Sequence, residues 1–208
     1  MKTFLLCLFF TLFTISPLFA ETVDISSKLK LHFDIPDTWV SDLEPPQALV
    51  DIMAEHIGHD AAQKGRHPSQ GELQQLARKR FAENEALLFN PESHAFLSLD
   101  FSPLRQGERA PSHKSIKLSA RYAGESLSNE EGVSDLTTTE SDIEIDGAWY
   151  SHRFDATYKH HDNPISFTGI VGFASPYWFY FYYTDYLRDS RDREALEKII
   201  RSLKIESR

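Results

Sequence analysis

Two spacings of apolar residues divide the chain. Leu29, Leu31, Phe33 and Ile35 alternate with Lys28, Lys30, His32 and Asp34, a period of two that predicts a half-buried strand ended by Pro36. The spacing then lengthens to that of a helix. A first helix is expected to open at Pro46 and to carry Leu49, Ile52, Met53 and Ile57 on one stripe. A second begins at Ser69, which stands three residues before Glu72 as in a capping box, and is expected to bury Leu73, Leu76, Ala77, Phe81 and Leu88. Gly65 and Pro68 separate the two.

From Ala95 the period returns to two. Strands are predicted over 95–101 and 115–122, joined by a polar loop containing Pro103 and Pro111. Residues 124–132 read as a loop, and 134–145 as a polar strand at a sheet edge. Asp146-Gly147 is a hairpin signal. A strand over 148–158 is turned by "KHHDNP" into one over 165–173, and "ASP" turns that into Tyr177–Asp185, which opens with seven consecutive aromatic residues. A last helix is expected from Asp189 or Ser190, with Asp192 and Glu194 at the positive end of its dipole and Leu196, Ile199, Ile200 and Leu203 facing inward. One strand, two helices, about six strands on short turns and a final helix make an α+β fold: an antiparallel sheet of about six to seven strands flanked by helices.

The aromatic run poses the sharpest question. On a strand, Tyr177, Phe179, Phe181 and Tyr183 face one way and Trp178, Tyr180 and Tyr182 the other. Aromatic on both faces, the run is read as a central strand sandwiched between helices. If a groove and not a helix meets Trp178, Tyr180 and Tyr182, it is a binding wall.

Residues 1–20 have one cation at Lys2, an apolar run from Phe4 to Phe13, and Ser16 and Pro17 before Ala20, the parts of a secretory signal. Cleavage is expected after Ala20, leaving residues 21–208 as a single domain; Leu18 is large for that site, so a retained anchor is the alternative. Export implies a periplasmic or secreted protein with no stable membrane insertion after cleavage. Cys7 is the only cysteine, so the mature chain would hold no disulfide, thiol nucleophile or thiolate metal site. Losing Lys2 leaves 21 cations against 31 acids, a balance of −10. Such a chain is repelled by phosphate backbones, and the one dense basic cluster, Arg78 to Arg80, lies among acids on a helix; nucleic acid is not expected as a partner.

The stretch "FDIPDTW", together with the close "YFYYTDYLRDSRDREALEKIIRSLKI", resembles the PsbP-like superfamily, the fold of the photosystem II extrinsic protein, of a Ran-binding import factor and of bacterial DcrB-like envelope proteins. The resemblance implies an antiparallel sheet covered by helices on both faces. It carries no shared catalytic residue set and implies an accessory or binding role, without a cofactor.

Candidate chemistry is sparse. His56 and His59, three apart on a helix, could face one way with His67 as a third metal ligand; a satisfied histidine at the edge of the core is the competing reading. His160 and His161 sit in a turn and, as neighbours on an extended chain, point apart. "DIEIDG" imitates a calcium loop, but Arg153 stands where the bidentate Glu belongs. Trp149, Arg153 and Asp155 share a strand face, as a recognition patch or as an ion pair beneath a helix. The expected function is a non-catalytic binding or accessory module of a bacterial cell envelope, with an envelope protein or small ligand as its partner. A metal-dependent hydrolase using His56, His59 and His67, and a carrier of a small apolar or aromatic ligand held by Trp178, Tyr180 and Tyr182, are the alternatives.

Overall fold

The structure, a computed structural model, describes residues 19–207. In chain order the elements are β1 (Phe19–Ser26), β2 (Leu29–Ile35), β3 (Val40–Ser41), α1 (Gln47–Gln63), α2 (Gln70–Ala82), β4 (Ala86–Phe89), β5 (Phe96–Pro103), α3 (His113–Ser126), β6 (Val133–Asp142), β7 (Tyr150–His160), β8 (Asn163–Ala174), β9 (Tyr177–Asp185), α4 (Ser190–Ser202) and β10 (Lys204–Ser207). A seven-stranded sheet has the order β3-β4-β5-β9-β8-β7-β6, antiparallel at every pairing. A second, three-stranded sheet has the order β1-β2-β10. The expected α+β architecture is present, and β9 is its middle strand.

Helices and the small sheet cover the large sheet unevenly. On one face, Phe179, Phe181 and Tyr183 of β9 pack with Leu97 and Leu99 of β5, Leu29, Leu31 and Phe33 of β2, and Leu196 and Ile199 of α4. On the other, α3 brings Ala120 onto Phe154, Ala156 and Val171 of β7 and β8. The α1–α2 pair is zipped by Val50, Ala54, Leu73 and Ala77, and it sets Leu49 and Phe81 on Leu87, Phe89 and Phe96 at the far end of β4 and β5.

Local signals placed the starts of α2 and α4. Ser69 and Glu72 form the capping box that starts α2, and the Asp189 side chain accepts from the Arg191 N–H at the start of α4. The pair His161-Asp162, with φ of 48° and 66°, closes the β7–β8 hairpin in two residues, the geometry that twisted antiparallel strands select. Gly169 and Gly172 mark close approach, as expected of glycine in a strand: a Cβ on them would run into the rings of Phe154 and Phe179.

Several expectations fail for identifiable reasons. The segment 115–122 is helix α3, because Ser112 caps it and Ile116, Ala120 and Gly124, four apart, form the buried stripe. The alternate apolar residues that suggested a strand, Leu118 and Tyr122, are exposed. Leu76 is 46% exposed on α2, and Leu88 belongs to β4, which pairs with Leu97 of β5. Asp146-Gly147 does not close a tight hairpin: β6 and β7 separate at Asp142 and His152, and the loop between them docks on β10. Ile205 donates its N–H to the Asp146 carbonyl at 2.8 Å, and Gly147 (φ 82°) admits the Ile205 carbonyl where a Cβ would collide. β1 spans the expected cleavage point, with Phe19 and Ala20 opposite Ile35 and Asp34.

Candidate functional site

The middle strand is covered on one face only in part. Phe179 and Phe181 are fully buried, whereas Trp178, Tyr180 and Tyr182 are half-buried. α3 lies over β7 and β8, and α1–α2 over the far end of β4 and β5. Between them the three large rings stand in a row. Trp178 and Tyr180 have centroids 6.3 Å apart and planes within 6°; Tyr180 and Tyr182 are 6.4 Å apart at 27°. Successive same-face residues on a strand lie about 6.6 Å apart, so the backbone itself sets this spacing. The row continues through Tyr182 to Phe167 at 5.8 Å, and through Trp178 to Phe173 at 6.2 Å. The Phe179 and Phe181 face is closed by α4 and the small sheet, where helices alone were expected, and the opposite face is covered only in part.

The β5 side of the row is polar. Ser98, Asp100 and Ser102 stand directly opposite Tyr182, Tyr180 and Trp178 and therefore share their face. β4 stops pairing at Ala86, and just before it the Glu85 carboxylate accepts the Phe101 N–H at 2.8 Å in place of a strand partner. Burial, with the neighbouring Asp100 adding to it, pushes Glu85 up to about 7 despite that hydrogen bond. Burial raises Tyr180, with Asp100 and Glu108 reinforcing, and pushes Tyr182 up to about 12. The open row thus lies in a negative field. Glu85 and Asp100 escaped the sequence reading because only the pairing of β5 with β9 and the early end of β4 bring them beside Tyr180.

Trp149 stands at the sheet edge near the end where β9 begins, outside the row. It is 58% exposed and meets Phe173 edge-on at 5.6 Å. Beside it, Tyr150 stacks on His113 at 5.4 Å. Both aromatics line a cleft of about 750 Å³ with Asp142, Glu144 and Asp146 and, from α4, Ile200 and Arg201. Arg153 is not part of this surface. It is 9% exposed on the opposite face, donating to Asp155 at 2.8 Å and to Glu197 of α4 at 2.7 Å, with Arg193 and Thr168 also on Asp155. The ion pair beneath a helix is the reading that holds. Burial works against the Asp155 carboxylate, but its bonds to Arg153 and Thr168 hold it below the usual range.

The histidines meet in an arrangement that spacing could not show. His56 of α1 lies 4.4 Å from His160, His59 lies 5.0 Å from His161, and His160 and His161 are 4.4 Å apart. His67, the expected third ligand, is exposed and forms none of these contacts. Among the described residues, no three His, Cys, Asp or Glu side chains are grouped so as to hold a metal ion. The cluster joins α1 to the β7–β8 turn. His160 is held below the ordinary histidine value by burial and then by His161, against the opposing pull of Glu55.

No protein-family model and no curated protein matches the chain. Among solved structures, it is similar to the solution structure of cyanobacterial PsbP (CyanoP) from Synechocystis sp. PCC 6803, at a TM-score of 0.52 and 10% identity over 92% of this chain and 94% of that one. A variant of the protein Mog1 aligns at a TM-score of 0.44 and 8% identity, over 88% of this chain and 94% of that one. The chain has a PsbP-like fold.

Proposed function

We propose that this protein is an exported, non-catalytic binding or accessory module of a bacterial cell envelope, and that it binds through the row Trp178, Tyr180 and Tyr182. The observation that carries the proposal is the half-buried state of three large aromatic side chains in the middle of a sheet whose other face is closed. Aromatics of this size dominate interface energetics when a partner completes their burial. The signal-like residues 1–20 support export, and no helix among the described residues is long and apolar enough to cross a membrane. A carrier for a small apolar ligand would enclose its cargo; the row is open along its length and fits that reading less well.

The test is cross-linked affinity capture from the envelope fraction with the wild type and a Trp178→Ala/Tyr180→Ala variant of matched stability. A partner recovered by the wild type and lost by the variant is the expected result. Equal recovery by both sinks the binding row, and an empty result across several cross-linkers counts against a binding module. Sequencing of the mature N-terminus should begin at Glu21.

A further inference from the structure

The row Trp178, Tyr180 and Tyr182 has a shape that narrows what it can bind. A cage for a small organic cation needs rings converging from several directions. Here the planes of Trp178 and Tyr180 lie within 6° and those of Tyr180 and Tyr182 within 27°, all standing side by side on one strand. Their 6.3 and 6.4 Å steps are close to the distance of about 6.6 Å between alternate side chains of an extended chain. A ladder with that repeat matches a ligand with the same repeat.

Charge specifies the ligand's sign. Asp100 faces Tyr180 across the β5–β9 pair, with Glu85 against Asp100 and Glu108 close enough to act on the Tyr180 hydroxyl. Among the described residues, none of these three carboxylates forms an ion pair with a lysine or arginine. Acids elsewhere on this half of the sheet are paired: Asp142 with Lys117, Glu140 with Arg121, Asp155 with Arg153. Carboxylates that flank an aromatic surface along one side and form no ion pair present a field that attracts cations.

We infer that the aromatic row is a docking groove for an extended, basic segment of a protein partner, with Lys or Arg side chains at alternate positions laid over Tyr180 and its neighbours and reaching Asp100 and Glu85. This inference rests on the binding-module reading and specifies its partner. The aliphatic stems pack on the rings while the charged heads reach the carboxylates, so one side chain uses both features of the site. A cation arriving beside Glu85 displaces the proton that burial makes its carboxyl hold near neutrality, so docking tightens as pH rises from 6 to 8.

The experiment is a fluorescence-anisotropy titration of the mature protein with three labelled twelve-residue peptides: lysine alternating with threonine, the same composition with its lysines in one block, and glutamate alternating with threonine. The alternating basic peptide should bind at low salt, at least tenfold tighter than the acidic one and severalfold tighter than the blocked one. Tyr180→Ala and the pair Glu85→Gln/Asp100→Asn should each weaken it about tenfold. The carboxamide pair keeps the volume of both side chains, so a folded variant is available even if Tyr180→Ala unfolds. Equal binding of acidic and basic peptides, or unchanged affinity in the carboxamide pair, overturns the basic segment while leaving an aromatic binding surface standing. Competition by tetramethylammonium at the same concentration as the peptide overturns the extended ligand. No binding of the alternating basic peptide to the wild type overturns the inference altogether, and the capture experiment then judges the binding-module reading on its own.

Discussion

On one face of β9, Phe179, Phe181 and Tyr183 are withdrawn from water against Phe33, Leu196 and Ile199. On the other, one residue along, Trp178, Tyr180 and Tyr182 keep part of each ring in solvent. Both faces are aromatic and both rise from the same strand. They differ because the small sheet and α4 span the first, while α3 and the α1–α2 pair stop short of β9 on the second. A run of large apolar side chains does not by itself say core or interface. The layer laid over it does, and a half-covered row leaves apolar area still in contact with water.

Removing a ring from each face would break or sharpen the contrast. Phe181→Ala should cost about 3 to 5 kcal/mol, the usual effect of truncating a fully buried aromatic side chain; a shift in the urea midpoint worth less than 1 kcal/mol would show that its face is not closed. Arg153→Ala, which leaves Arg193 as the remaining cation on Asp155 and Glu197, should cost about 2 kcal/mol, since that cation and some solvent stay with both carboxylates. A neutral result would mean that water replaces the guanidinium at no cost. Trp178→Ala, on the open face, should cost only about 1 to 2 kcal/mol while abolishing capture of the partner. If it costs as much as Phe181→Ala, the two faces are equally closed and the binding wall is lost.

The acid pair on the open face gives a pH signature. The folded pKa of Glu85 is raised to about 7, so the folded state holds a proton that the unfolded chain releases above about 4.5. Its favourable contribution is complete below that value and is lost as pH rises through about 7. Glu85→Gln should therefore flatten the decline in stability across that window, by about 1 kcal/mol after allowance for a half-buried group. A slope unchanged by the substitution would place Glu85 in ordinary solvent. The smallest effect runs the other way at the histidine cluster. His160 is lowered, so its contribution is complete above the ordinary histidine value and is lost as pH falls through its own lower one. His160→Gln should remove that acid-side loss in thermal melts between pH 5 and 7. Identical melts for both proteins would assign the acid sensitivity to other groups.

How far the sequence reached depended on how local each signal was. The capping box at Ser69, the cap at Asp189 and the alternation in β2 act within a few residues, and each placed its element correctly. β4 was missed because Ala86–Phe89 are all buried, leaving no period to read after a helical stripe. β10 was missed because Ile205 is its single buried residue and its identity as a strand comes from Leu31, far back in the chain. α3 was misread because Ile116, Leu118, Ala120 and Tyr122 satisfy alternation by coincidence, and only the surface beneath the helix shows that every second one is used.

The sequence by itself determined the α+β class, the aromatic strand and its two-faced alternation, and the caps of α2 and α4, all products of backbone periodicity and neighbours in the chain. Only the tertiary structure decided which face of β9 is covered, that Glu85 and Asp100 stand beside Tyr180, and that His56 and His59 meet His160 and His161 and not His67. These are pairings between residues distant in sequence, fixed by strand register and by where each helix comes to rest, and neither leaves a trace in local spacing.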